Sequence, residues 1–223
     1  MTKFALTLLR TAAAIAPALL APSLLAPPAL AQTPPSPTAA AAPAPKSPFV
    51  PADFVVPTRV DTADFRLVPL GPDVVQRDYD AYMSSIAHLQ TSFSRSTNWP
   101  RADISRADAM RDMQNEQARF TSRRSFAFAV LTPDGSRERG SVYVSPSPVG
   151  DHDAVVRLWV TKADYDAGFD ARLYAWVTDW IRTDWPFRNP VYPGRSIAWS
   201  DWDRMVAATR PAQAAPPPPA KAH

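Results

Sequence analysis

Apolar residues recur every three or four positions through residues 75–93, and this spacing predicts one helix with a buried face. The positions are Val75, Tyr79, Tyr82, Ile86, Leu89 and Phe93. A second helix is predicted to begin after Ser105, because Ser105 and Asp108 have the spacing of a capping box. A third helical pattern begins at Phe169 and ends at Trp185, which precedes a proline. A short closing helix is predicted over residues 199–208.

Strands are predicted where apolar residues alternate or where β-branched and aromatic residues cluster. Residues 65–70 alternate and are followed by Gly71 and Pro72, which stop the strand. Residues 125–131 and 140–145 are separated by a Thr-Pro-Asp-Gly turn, which predicts an antiparallel hairpin. A further strand is predicted at residues 154–160, and a short last strand at Val191 and Tyr192.

The first 31 residues have the three-part pattern of a secretory signal peptide. Lys3 and Arg10 precede an apolar stretch, and small residues lead to Ala31, after which we expect cleavage. The alternative is an uncleaved anchor, but the stretch is mostly alanine and contains prolines, whereas a spanning helix needs about 20 strongly apolar residues. We therefore expect an exported protein, periplasmic or secreted, with no stable membrane span after cleavage.

Proline is concentrated at the two ends of the chain. Of the 26 prolines, 16 lie in residues 1–51 and 211–223. Segments of Pro, Ala and small polar residues bury too little apolar surface to fold, and they behave as extended spacers. We therefore predict a disordered linker over residues 32–52, one folded domain over residues 53–209, and a disordered tail over residues 210–223.

Charge and cysteine content exclude several classes of function. Without Lys3 and Arg10 the chain has 22 basic and 21 acidic residues, so it lacks the basic excess of nucleic-acid-binding proteins. The absence of cysteine excludes disulfides, thiolate metal sites and cysteine nucleophiles. Asp151, His152 and Asp153 are metal-capable, but consecutive loop residues rarely converge on one ion, and we expect no metal site.

The predicted order of elements, β-α-α-β-β-β-α-β, resembles the GCN5-related N-acetyltransferase (GNAT) superfamily. The local sequence is similar to a bacterial acetyltransferase-like group within it, in the segments FVVPTRVDTADFRLVPLGP, RDYDAYMSSIAHL, GSVYVSP, VRLWV and VTDWIRTDWPF. This resemblance covers residues 54–193 and implies an α+β fold with a mixed, mostly antiparallel central sheet flanked by helices. Family members usually continue with another helix and two strands, so we expect a domain that is short at its C-terminus.

The resemblance also implies a cofactor. In this superfamily the strand that corresponds to residues 154–160 binds the pantetheine arm of acetyl-CoA, and the following loop and helix start bind its pyrophosphate. The implied cofactor-binding residues are Leu158, Trp159, Val160, Lys162 and Gly168. Most members have a glycine-rich loop at this point, because glycine lets the backbone approach the phosphates closely.

The phosphate loop of this chain departs from the family pattern. Residues 161–169 read TKADYDAGF, in which Gly168 is the one glycine. Asp164, Asp166 and Asp170 place carboxylates where a pyrophosphate would bind, and a nearby lysine and arginine offset that repulsion only in part. The alternative is an ordinary acid-rich loop that caps a helix.

Candidate catalytic residues also follow from the resemblance. Acetyl transfer to an amine needs a base for the ammonium and an acid for the leaving thiolate, and related enzymes often use Glu and Tyr. Here the candidates are Tyr143 and Tyr192 near the predicted sheet, and Asp153 before the strand at residues 154–160. The alternative for each tyrosine is a place in the aromatic core.

Two hypotheses of different class remain. In the first, the chain is an exported N-acyltransferase that moves an acyl group from acyl-CoA to an amine. In the second, it is a catalytically inactive module of the same fold. The module would bind a small molecule or a cell-envelope partner in the cleft that corresponds to the active site of the superfamily. Acetyl-CoA is a cytoplasmic metabolite, so an exported enzyme would lack its donor. Location and the altered loop favour the module, whereas the resemblance favours the enzyme.

Overall fold

A computed structural model describes residues 48–209. The expected signal peptide, most of the expected linker and the expected tail lie outside these residues. The described strands are β1 (Val60–Asp61), β2 (Arg66–Pro69), β3 (Phe126–Leu131), β4 (Glu138–Pro146), β5 (Ala154–Val160) and β6 (Pro190–Val191). The helices are α1 (Val75–Met83), α2 (Ile86–Ser92), α3 (Arg106–Thr121), α4 (Lys162–Asp166), α5 (Phe169–Asp184) and α6 (Trp199–Ala208).

The six strands form one sheet in which spatial order equals chain order. The pairs from β1 to β5 are antiparallel, and β6 pairs with β5 in parallel. The parallel pair needs a crossover, which α4 and α5 supply. The predicted α+β class with a mostly antiparallel sheet is confirmed.

Each face of the sheet has its own apolar core. On one face, β3, β4 and β5 pack against α5, whose buried side chains include Phe169, Leu173, Val177 and Ile181. On the opposite face, α1, α2 and α3 cover the alanines of β3 and the ring of Trp159. The core also includes Val50, with Phe49 packed against it, so the packed chain extends into the segment assigned to the linker.

The single helix predicted over residues 75–93 is wrong, because the chain forms α1 and α2 with a break at Ser84 and Ser85. Ser84 Oγ donates to the carbonyl of Ala81 at 2.7 Å. Ser85 has non-helical backbone angles and its buried Oγ accepts the N–H of Lys162 at 2.9 Å. Serine side chains that compete for backbone groups interrupt helices. The break therefore ties the helical layer to the end of β5.

The other predicted helices form as expected. Ser105 caps α3, since its Oγ accepts the N–H of Asp108 while the Asp108 carboxylate accepts the N–H of Ser105. The helices α5 and α6 match their predicted ranges. The short helix α4 was not predicted, because the acid-rich sequence after β5 has no apolar period. In residues 48–209 no helix is both long and apolar enough to cross a membrane.

Candidate functional site

The two candidate catalytic tyrosines, Tyr143 and Tyr192, lie in different parts of the structure. Tyr143 extends from β4 toward the helices and its hydroxyl accepts a hydrogen bond from Trp159 Nε1 at 3.4 Å. Burial raises the pKa of Tyr143 above its ordinary range. Tyr192 follows β6, is buried, and packs edge-on against Tyr174 with 5.7 Å between ring centres. Burial raises the pKa of Tyr192 to about 12.

Asp153, the third candidate, holds a loop in place. Its carboxylate accepts the backbone N–H of Arg188 at 2.6 Å and that of Asn189 at 3.2 Å. These contacts fix the chain that enters β6. Asp153 therefore supports the parallel strand pair, and the structure does not bring it together with Tyr143 in one site.

The residues implied for the cofactor lie along β5 and after it. Leu158 and Val160 belong to the core under α5, and Trp159 belongs to the core on the opposite face. Lys162 is exposed, and its ammonium is 2.5 Å from the Asp166 carboxylate. Gly168 precedes α5 with φ of +71°, a left-handed conformation that favours glycine.

A cavity of about 360 Å³ lies between the sheet and helices α1 and α3; we call it the helix-side cavity. Its aromatic lining consists of Tyr82, Phe93, Trp99 and Tyr143. Its charged lining consists of three carboxylates and two arginines, namely Asp78, Asp112, Glu116, Arg119 and Arg157. Small-molecule sites usually occupy roughly 300–1,000 Å³ and combine aromatic walls with a few polar groups. This cavity has those properties.

A buried carboxyl pair lies at the wall of the helix-side cavity. Asp78 comes from α1 and is 4% exposed, and Glu138 comes from the start of β4 and is 1% exposed. The two carboxyls lie within interaction distance of each other, and burial raises the pKa of both. Ser141 Oγ donates to Glu138 Oε1 at 2.9 Å.

A β-bulge places Glu138 beside Ser141. The register shifts at the end of β3, so that Leu131 pairs with Glu138 and Arg139 is the extra residue. Side chains alternate along a strand, so residues three apart normally point to opposite faces. The extra residue restores Glu138 to the face of Ser141 and α1.

The strand that the resemblance assigns to the pantetheine arm, β5, borders a gap toward β6. The two strands pair at Ala154 with Pro190 and at Val155 with Val191, and their pairing ends there. Beyond that point a hollow of about 30 Å³ separates residues 156–158 from residues 192–195. A second hollow of about 200 Å³ lies between residues 158–160 and the Asp170–Arg195 pair. Arg195 extends from the loop after β6 to Asp170 in the first turn of α5, with contacts of 2.6 and 2.7 Å. The chain's own ion pair therefore occupies the start of α5.

Arg157 and Phe93 separate this gap from the helix-side cavity, since both side chains line both spaces. The Arg157 guanidinium lies 4.2 Å from the centre of the Phe93 ring, and Nη2 donates to the Phe93 carbonyl at 2.5 Å. Burial lowers the pKa of Arg157. The two side chains form a wall that we call the Arg157–Phe93 wall.

The start of α4 has little capacity for phosphate. The Lys162 N–H donates to Ser85 Oγ at 2.9 Å, and the Asp164 N–H donates to Thr161 Oγ1 at 3.2 Å. The buried Asp164 carboxylate accepts from Arg137 and Arg139 at 2.6 and 2.8 Å. Two of the amides that could bind an anion at this helix start thus already have protein partners. The start of α4 therefore does not fit the pyrophosphate of acetyl-CoA.

Residues 48–209 contain no cluster of potential metal-ligating side chains. No group of three or more His, Asp or Glu side chains there is arranged to hold an ion. His152 Nδ1 lies 3.2 Å from the Asn189 carbonyl, while Asp153 binds backbone amides.

The carboxyls of the cavity were missed by the sequence analysis. Asp78 gave a usable signal, because it lies three residues after Val75 and four before Tyr82, on the apolar stripe of α1. A carboxyl on a buried stripe is a candidate for function. Glu138 gave no such signal in the sequence, because only the β-bulge places its side chain on the helix-covered face of the sheet. Asp112 and Glu116 have the spacing of an ordinary polar helix face.

Comparison with solved structures identifies the class of fold. The chain is similar to a ribosomal-protein-S5-alanine acetyltransferase from Vibrio fischeri, with a TM-score of 0.50 and 10% identity over 67% of this chain and 82% of that one. The protein therefore has a GNAT-like acetyltransferase fold.

Weaker similarities extend to two further structures. One is a ribosomal L7/L12 α-N-protein acetyltransferase, with a TM-score of 0.46 and 16% identity over 66% of this chain and 76% of that one. The other, from Vibrio cholerae, is provisionally assigned as a ribosomal-protein-serine acetyltransferase, with a TM-score of 0.39 and 13% identity. There the match covers 50% of this chain and 59% of that one. Neither a protein-family model nor a curated protein sequence matches the chain.

Proposed function

We propose that this chain is a catalytically inactive module with the GNAT-like fold that binds a small molecule in the helix-side cavity. One observation carries the proposal: the Arg157–Phe93 wall stands between this cavity and the gap that an acyl-CoA would enter. Reacting groups must approach to about 3–3.5 Å. A wall between donor and acceptor spaces disfavours acyl transfer, while the cavity itself stays open to a ligand.

Acyl transfer from acyl-CoA to an amine is the second candidate. The fold favours it, and so does the position of Tyr143, whose side chain lines the helix-side cavity. For this reaction Arg157 would have to leave Phe93, and Arg195 would have to leave Asp170. The reaction thus requires two separate rearrangements before a cofactor could enter.

We further propose that the module acts outside the cytoplasm, where a small molecule or a cell-envelope component is its partner. The signal-like pattern of the first 31 residues supports this location. The near balance of acidic and basic residues supports a partner other than nucleic acid. The location is tested by fusing residues 1–31 to a reporter that is active only after export. N-terminal sequencing of the exported protein identifies the cleavage site. A reporter retained in the cytoplasm would contradict the proposed location.

Ligand binding is tested by calorimetry and protein-detected NMR on the purified full chain. We expect no heat and no rise in melting temperature with millimolar acetyl-CoA. We expect small molecules from a fragment set to shift the signals of Trp99 and Tyr143. Asp112→Lys at the cavity mouth should change those shifts, whereas Asp103→Lys, at a position 76% exposed in its side chain, should not. Acetyl-CoA binding with shifts along β5 and α5 would instead favour the enzyme.

A further inference from the structure

Asp78 and Glu138 form a carboxyl pair that cannot easily lose both of its protons. Both groups are almost fully buried, and they lie within interaction distance of each other. Glu138 Oε2 has no hydrogen-bond partner among the described residues. Two buried carboxylates without a cation repel each other and are costly to ionise together. Between its two titration steps the pair therefore holds one proton and carries a net charge of about −1.

Nothing with a positive charge neutralises the pair directly. Among the described residues, neither Asp78 nor Glu138 has a Lys or Arg nitrogen within salt-bridge distance. The titratable groups that face it are Arg77 and Tyr82 on α1, Asp112 and Glu116 on α3, and Tyr143 on β4. Asp112 thus adds negative potential at the same place, whereas the charge of Glu116 is offset by its ion pair with Arg119.

The pair is reached from two sides. Asp78 lines the helix-side cavity. Glu138 lines a second hollow of about 370 Å³, whose other lining residues include Ser84, Arg137 and Thr161. A proton lost by the pair therefore has a route to solvent on the Glu138 side while a ligand occupies the Asp78 side.

We infer that the Asp78–Glu138 pair makes the helix-side cavity a proton-linked site for a positively charged nitrogen. This inference rests on the proposed function, because it assumes that the cavity binds a ligand. In the empty cavity the two carboxyls hold one proton. When a cation enters beside Asp78, the O–H bond of the pair breaks, the proton passes to solvent, and two carboxylates face one cation. The rings of Tyr82 and Trp99 supply π faces that favour a cation in the same cavity.

A neutral or anionic ligand would gain nothing from this exchange. Such a ligand leaves the pair with its proton, since a second negative charge at a buried site is costly without a cation. The site therefore selects by charge, and its affinity for a cation depends on pH. While one proton is released, affinity should rise about tenfold per pH unit.

The ligand-free experiment is a pH titration of side-chain carboxyl carbons by ¹³C NMR on the full chain. Asp78 and Glu138 should titrate together in two steps, both above the ordinary carboxyl range. In Glu138→Gln the shared step should disappear, and in Asp103→Asn, an exposed carboxyl that lines neither hollow, it should remain. Ordinary, independent titration of both carboxyls would overturn the inference without touching the proposed function.

The ligand experiment uses n-butylammonium, with butan-1-ol and butyrate as its neutral and anionic counterparts. We expect n-butylammonium to shift the Trp99 indole signal and to release close to one proton, measured as the difference in binding heat between two buffers. Asp78→Asn should abolish the release and weaken binding at least tenfold. Equal binding of butan-1-ol, or cation binding without proton release, would overturn the inference and leave the cavity as a ligand site. If fragments bind the cavity but n-butylammonium does not, the inference is overturned and the proposed function stands. Absence of binding by every probe and every fragment would overturn both proposals.

Discussion

Asp170 and Arg195 are joined by two hydrogen bonds of 2.7 and 2.6 Å that connect the first turn of α5 to the loop after β6. The Asp170 side chain is 13% exposed and that of Arg195 is 30% exposed. Hydrogen bonding to Asp170 raises the pKa of Arg195. A carboxylate in the first turn also complements the helix dipole. This pair occupies the start of α5, to which the family resemblance assigns the pyrophosphate of the cofactor.

A double-mutant cycle on Asp170→Ala and Arg195→Ala should give a coupling of about 1 kcal/mol, because the contact is bidentate and partly buried. The measurement is urea unfolding of each variant. The control is Asp179 with Arg182 on the same helix, whose side chains are 66% and 70% exposed. Its coupling should be close to zero. Equal coupling in both cycles would contradict the role assigned to the Asp170–Arg195 pair.

Gly140 should not tolerate a side chain. A Cβ at this position would lie 2.0 Å from the backbone oxygen of Trp159 on the neighbouring strand. Gly140→Ala should therefore lower the free energy of unfolding by about 3 kcal/mol or prevent folding, since backbone atoms of paired strands cannot yield cheaply. Gly150→Ala is the matched control, because a Cβ there meets nothing within 4 Å. Thermal unfolding followed by circular dichroism gives both values.

Ser105 should contribute to stability through its capping box alone. Ser105→Ala removes the acceptor for the Asp108 N–H, and we expect a loss of about 1 kcal/mol. Ser105→Asn restores a side-chain acceptor and should recover most of that loss. Chemical denaturation distinguishes the variants. If alanine and asparagine were equivalent, the hydrogen bonds at the start of α3 would contribute nothing measurable.

Asp164 should make the stability of the fold sensitive to acid. Burial works against its ionisation, but hydrogen bonds from Arg137, Thr161 and Arg139 prevail and lower the pKa of Asp164 below its ordinary value. A lowered pKa in the folded state means that stability is present above the ordinary value near 3.8 and is lost as pH falls through the lowered one. Asp164→Asn should cost about 3 kcal/mol at neutral pH, because Arg139 loses a buried partner.

The comparison for that prediction is Asp166→Asn, an exposed neighbour that pairs only with Lys162 on the surface. Melting temperature between pH 3 and pH 7 should fall in acid for the wild type and for Asp166→Asn. In Asp164→Asn it should be low throughout, with a flatter pH profile. Parallel profiles for all three proteins would show that Asp164 is not the source of acid sensitivity.

The carboxyl pair predicts the opposite pH dependence. Burial raises the pKa of Asp78 from 3.8 to about 7 and raises that of Glu138 well above its ordinary value. The folded state then binds more protons than the unfolded chain, so this contribution is complete below pH 3.8 and declines as pH rises toward 7. In Glu138→Gln the decline should be smaller, which unfolding at pH 5 and pH 8 measures. An unchanged slope would contradict the assignment.

Much of the fold could be predicted because its elements are strongly periodic or begin with a recognisable cap. The hairpin of β3 and β4, the strand β5 and the helix α5 all appear where the alternation or the 3.6-residue period predicts them. The break at Ser84 and Ser85 was missed, because apolar spacing continues across it. Only the contact of Ser85 with Lys162, 77 residues away, explains why the helix stops.

The candidate site was less predictable than the fold. Tyr143 was nominated by its place in a strand, and it does line the helix-side cavity. The carboxyls of the cavity come from α1, α3 and β4, and they meet only after the helices cover the sheet. Glu138 depends in addition on one extra residue in β4. The periodicity of a single helix or strand contains no information about contacts between side chains of different elements.

The order of strands also has a consequence for how the chain folds. The pairs β1–β2, β3–β4 and β4–β5 join strands that follow each other directly in the chain, and local pairing of this kind favours fast folding. Two pairings are distant in the chain, because β2 reaches β3 across α1, α2 and α3, and β6 reaches β5 across α4 and α5. Of these two, β6 has the shorter contact, with only two paired residues at the edge of the sheet. We therefore expect β6 and α6 to be the last segment to gain protection in hydrogen exchange during refolding and the first to lose it.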